Sequence, residues 1–159
     1  LDHLTRLTDN FGIFQHARYS KPLKRFGYSL DDNARALIAC AKYYEIDKNH
    51  EALRLIKMYL NFMKFAQRTN GNFANIIGAN KTRDKTREED TQGRAIWALG
   101  FIASRDYLSK EIVALANSMF QKIIKSVSIL KSPRAVAFAI IGLYYYLKFA
   151  PQKKLKTIC

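Results

Sequence analysis

The chain has 159 residues, of which 48% are hydrophobic and 13% aromatic, with only 7 Gly and 3 Pro; this excludes a disordered, collagen-like or loop-dominated protein and leaves one compact domain with a sizeable core. A balance of 27 Lys+Arg against 13 Asp+Glu gives a formal net charge of +14, but the basic residues are spread through almost every segment and no nucleic-acid module is present, so most of this charge reads as solvated surface. Two cysteines, Cys40 in an apolar run and Cys159 at the last position, make neither a disulfide framework nor a zinc-binding spacing, and with no signal-peptide pattern a reducing, cytoplasmic location is expected.

The first long connection, residues 10–30, leads into a predicted helix from Asp31 to about Ile46, whose acids sit in the first turn where the helix dipole favours them. His50 to about Arg68 sets Leu53, Ile56, Leu60 and Met63 on one stripe against Arg54, Lys57, Asn61 and Lys64 on the other, the pattern of an amphipathic surface helix. A second long connection, residues 70–88, precedes a helix from Asp90 to about Arg105 that is apolar all round and should be buried on every side. Leu108 to about Ser126 is amphipathic again, and Pro133 to Phe149 returns to the all-apolar type. The run Ala135 to Ala150 contains Lys148 and three tyrosines and is shorter than the roughly 20 residues that span a bilayer, so it is expected to be a core helix with no membrane role. Residues 1–150 thus form one helical domain, and residues 151–159, with Lys153, Lys154 and Lys156, a basic tail.

Buried and amphipathic helices alternate, and the buried ones share an opening: Arg35-Ala36-Leu37, Arg94-Ala95-Ile96 and Arg134-Ala135-Val136. Aligning the arginines places Asp31 over Asp90, with no acid in the third copy. This is a degenerate repeat of a helical hairpin, inner helix then outer helix. With inner helices parallel, both long connections and both acid clusters fall at one end, where loops on a rigid scaffold collect binding groups. Gly12, Gly27, Gly71 and Gly78 are expected in positive-φ loop turns, and Gly93, Gly100 and Gly142 at close helix approaches.

The runs LTRLTDNFGIFQHARYS, GYSLDDNARALI and EEDTQGRAIWALG resemble motifs of the α/α-toroid domain, similar to six-hairpin glycosidases, that accompanies glycosyltransferases and mannoside-processing proteins. The similarity extends over most of residues 1–147. It implies an all-α fold of helical hairpins forming an arc or partial (α/α)6 toroid, since the chain holds about two and a half hairpins where a full ring has about six. It also implies a sugar-binding depression, with acids near the inner-helix starts falling on Asp31, Asp32, Glu88, Glu89 and Asp90.

Glycoside cleavage or transfer needs two carboxyl groups, one protonated and one ionised, on opposite sides of the bond. Asp31, Asp32, Glu89 and Asp90 are therefore the candidate catalytic residues, with Arg35 and Arg94 orienting them. Gln15, His16, Tyr28 and Asn75 join the two arginines as candidate sugar-binding groups, and Phe14, Tyr19 and Phe73 are loop rings able to cover a sugar face or to plug the bundle end. The competing reading makes the acids helix caps and i,i+4 partners of Arg35 and Arg94, in a non-catalytic module that binds glycan or a partner protein. A basic nucleic-acid-binding α-solenoid is a third reading. His3, His16 and His50 lack ligand spacing, and phosphate-loop and dinucleotide fingerprints are missing, so neither metal nor cofactor is expected. A carbohydrate ligand, a second copy of the chain or a glycosyltransferase are the expected partners, with nucleic acid disfavoured.

Overall fold

The computed structural model describes residues 1–149; the basic tail lies outside the described residues. The fold is mostly helical, with α1 (Asp2–Arg6), α2 (Leu30–Asp47), α3 (His50–Ala66), α4 (Glu89–Ala103), α5 (Lys110–Ile123) and α6 (Pro133–Phe149). Four two-residue strands decorate the connections: β1 (Ala17–Arg18) with β2 (Lys21–Pro22), and β3 (Tyr28–Ser29) with β4 (Ile76–Ile77), each pair antiparallel.

Local chemistry fixes the helix ends. Ser29 caps α2 by accepting the Asp32 N–H at 3.1 Å, and its hydroxyl donates to Asp32 Oδ2 at 2.6 Å, which fixes the capping oxygen in place. Lys48 closes α2 in the left-handed region with φ 50°, and Asn49 immediately caps α3 through the Glu51 and Ala52 N–H groups. That two-residue joint turns the chain back on itself as a hairpin. In α3 Ile56, Leu60 and Met63 are buried while Arg54, Lys57, Asn61 and Lys64 are exposed, as the stripe predicts.

The helix α4 lies at the centre, packed against α2, α5 and α6, and its apolar residues are buried except for half-buried Trp97. Against α6 it makes a seam of small residues. A Cβ added at Gly93 would strike Ala135, and one added at Gly100 would strike the Gly142 carbonyl, so the two helices run parallel and in register at backbone contact. One continuous hydrophobic core joins the five long helices.

Three expectations need correction. The helix α6 is not buried all round: Ala135, Ala139 and Tyr146 face the core, but Ile140, Tyr144 and Leu147 are 59%, 50% and 57% exposed, because no helix follows to cover that side among the described residues. The amphipathic pattern of α5 ends earlier than predicted, in a 3-10 turn over Ile124–Ile129. Of the four loop glycines only Gly27 and Gly71 have positive φ.

Candidate functional site

The loop-bearing end is assembled by a device used twice. Asn33, fully buried on α2, accepts the Ile13 N–H at 3.0 Å and donates to the carbonyls of Ile13 and Ser29. Gln92, fully buried on α4, accepts the Phe73 N–H at 2.8 Å and donates to the carbonyls of Phe73 and Glu88. Both carboxamides stand two residues before the repeat arginine, and each clamps an extended loop backbone whose polar groups would otherwise be orphaned. The repeat alignment superposes Asn33 on Gln92, so the device is written in the sequence by two uncharged carboxamides. The β3–β4 pairing and a Leu30 N–H to Asn75 carbonyl bond of 2.9 Å then tie the two loops together. Gly27 is needed at this joint, since φ is 70° and a Cβ would strike the Ile77 carbonyl.

The arginines form a ladder between helices. Arg94 at the start of α4 reaches back to Asp31 of α2, Nε to Oδ1 2.6 Å, and Arg134 at the start of α6 reaches back to Asp90 of α4. The expected i,i+4 pair Asp31–Arg35 is present at 2.8 Å, but the acid at Asp90 is held by Arg134 of the next helix rather than by Arg94. The stagger arises because parallel inner helices bring each first turn beside the next one.

All four candidate catalytic carboxylates are engaged. Asp31 holds Arg35 and Arg94; Asp32 holds the Ser29 hydroxyl and Arg35. Glu89 Oε2 accepts the N–H groups of Lys131 and Ser132 at 2.7 and 2.6 Å, and Asp90 accepts the Ser132 hydroxyl and the Arg134 guanidinium. The Ser132 and Lys131 N–H groups push the Glu89 carboxyl below its ordinary value, and Arg134 does the same for Asp90. Both are thereby held as anions, the opposite of what a proton donor to a leaving group requires.

The candidate binding residues divide. Tyr28 is 5% exposed: its ring stacks on Phe14 at 4.7 Å and its hydroxyl donates to Asp9 at 2.6 Å, and burial, followed by that bond to Asp9, raises its pKa strongly. Phe14 and Phe73 are likewise buried and act as plugs, so of the named loop rings only Tyr19, 90% exposed at the β1–β2 turn, faces solvent. Gln15 donates to the Phe26 carbonyl, and Asn75 is held by Asp84 and Thr91. His16 is exposed with its ring edge-on to Phe26. Arg35 is the more open arginine, its side chain 54% exposed against 16% for Arg94, which lies over the Phe138 ring. Two open grooves, of about 560 and 470 Å³, lie beside α1 and along α3, and no predicted site residue lines either.

Among the described residues no group of three or more His, Cys, Asp or Glu is placed to hold a metal, and no helix is long and apolar enough to cross a membrane. No protein-family model matches the chain, and no curated protein matches it in sequence.

Proposed function

We propose that the chain is an arc of an α/α toroid whose loop-bearing end binds carbohydrate, with its four inner-helix carboxylates bracing the scaffold rather than exchanging protons. The observation that carries this reading is the engagement of the acids: Glu89 and Asp90 are spent on the backbone and arginine that open α6, and Asp31 and Asp32 on arginines and a cap. What remains exposed at this end is loop surface, including the Tyr19 ring and His16. A flat ring standing in solvent covers one face of a sugar, and fixed polar groups beside it select hydroxyls.

The test is calorimetric titration with manno- and gluco-oligosaccharides. Tyr19→Ala is expected to weaken binding about tenfold, whereas Asp32→Asn and Glu89→Gln should change it less than about threefold. A hydrolytic or transfer product that appears with the parent chain and vanishes in Asp32→Asn would replace this reading with the catalytic one.

A further inference from the structure

The charge that looks dispersed along the sequence is gathered by the fold. Loop residues 16–27 carry Arg18, Lys21, Lys24 and Arg25 and no acid; residues 78–88 carry Lys81, Arg83, Lys85 and Arg87 against Asp84 and Glu88. The β3–β4 pairing and the Gly27 contact with Ile77 hold these loops side by side. Seven of the eight cations are exposed, and none of those seven forms an ion pair among the described residues. Of the neighbouring acids, Asp31, Asp32 and Asp90 pair with arginines of the inner helices and Asp84 with Arg68, while Asp9 accepts from Tyr28 and Glu89 from two backbone N–H groups. Glu88 is exposed and forms no ion pair among the described residues, so Asp9, Glu88 and Glu89 stand against the eight loop cations. Half-buried Arg87 keeps Nε and Nη2 out of water with no acceptor. The two loops thus carry more cations than the acids left beside them, a cationic rim on either side of the β3–β4 joint, with exposed Tyr19 at the β1–β2 turn of one loop.

We propose that this rim binds an acidic polysaccharide, one bearing carboxylates on successive sugars; the proposal rests on the carbohydrate reading above. Cations distributed over two loops match charge repeated along a polymer, whereas a lone phosphate group is held by donors converging on one point. The exposed rings of these loops are His16, Tyr19 and Phe26, and Phe26 is already covered by Arg25 and His16, which leaves less than the run of open rings that single-stranded nucleic acid stacks on.

The experiment compares an oligogalacturonate, a neutral manno-oligosaccharide of the same length and a single-stranded RNA of similar charge, each titrated into the full chain from about 50 to about 500 mM salt. The oligogalacturonate is expected to bind at least about tenfold tighter than the neutral sugar and to lose at least about tenfold across that salt range. Replacing Lys21, Lys24 and Arg25 by Gln, or separately Lys81, Arg83 and Lys85 by Gln, should each remove most of that preference while melting stays cooperative, with a small fall in Tm because Arg25, Lys81 and Arg83 lie over the Phe26, Phe11 and Phe65 rings. Equal, salt-independent binding of neutral and acidic sugars would overturn the acidic specificity and leave the carbohydrate reading intact. Tighter binding of the RNA would overturn it in favour of a nucleic-acid surface, and failure of every saccharide would overturn both proposals.

Discussion

Arg94 and Arg35 occupy the same place in the repeat and carry the same charge, yet their surroundings separate them. Arg35 grips acids of its own helix from a side chain that is 54% exposed, where solvent screens the pair to little net value. Arg94 is 16% exposed, crosses from α4 to Asp31 of α2 and lies 3.8 Å from the Phe138 ring centroid, so its removal strips packing and leaves Asp31 with a weaker partner set. Arg94→Ala is expected to lower stability by about 2 kcal/mol and Arg35→Ala by less than about 0.5 kcal/mol in urea denaturation. Glu89 and Asp90 add a pH signature. Their folded pKa values lie below the unfolded ones, so the stability they confer is complete above the ordinary carboxylate range and lost as pH falls through the lowered folded values. Stability measured over about pH 2 to 7 should fall on the acid side, and Glu89→Gln with Asp90→Asn should flatten that fall. An unchanged acid limb in the double variant would show that the braces do not couple α4 to the start of α6.

At the scale of elements, the five long helices were legible because period and capping are local: Ile56, Leu60 and Met63 fall on one face whatever surrounds them. The alternation of buried and amphipathic helices was not, since α2 exposes Lys42, Tyr43 and Ile46 as α6 exposes Ile140, Tyr144 and Leu147. The parallel inner helices were legible through the repeat of Arg-Ala-Leu, Arg-Ala-Ile and Arg-Ala-Val. What a helix meets on its other sides was not, since the apolar run of α6 reads the same whether one face or all faces are covered. The same limit hid the Asp90–Arg134 pair, which depends on which helix is the neighbour, and the burial of Tyr28, which depends on Phe14 and Asp9 closing over it. The open face of α6 is directly testable. Ile140→Glu and Leu147→Glu should each change stability by less than about 0.5 kcal/mol, as surface positions do, whereas a fully buried helix would lose about 2 kcal/mol or more at either site.

Over the whole molecule, one end gathers the two long loops and the remainder holds them in place. Two buried carboxamides clamp the loops, two cross-helix arginines stagger the inner helices, and a glycine seam locks α6 to α4. The loop-bearing end contributes eight cations from residues 16–27 and 78–88 to the positive charge, while Asp31, Asp84 and Asp90 at this end are held by arginines. That the two long connections meet at one end was legible in the sequence, since each leads into an acid-tipped helix of the same repeat, but the cross-helix pairs were not: spacing pairs Asp31 with Arg35 and Asp90 with Arg94, and only the fold brings Arg94 to Asp31 and Arg134 to Asp90. The central claim, that this end binds saccharide through its loops, is tested most directly by mapping amide chemical-shift changes while an oligosaccharide is titrated. The account predicts that the shifted amides concentrate in residues 16–27 and 78–88. Shifts confined to α3, α5 or the open face of α6, with both loops unmoved, would contradict it.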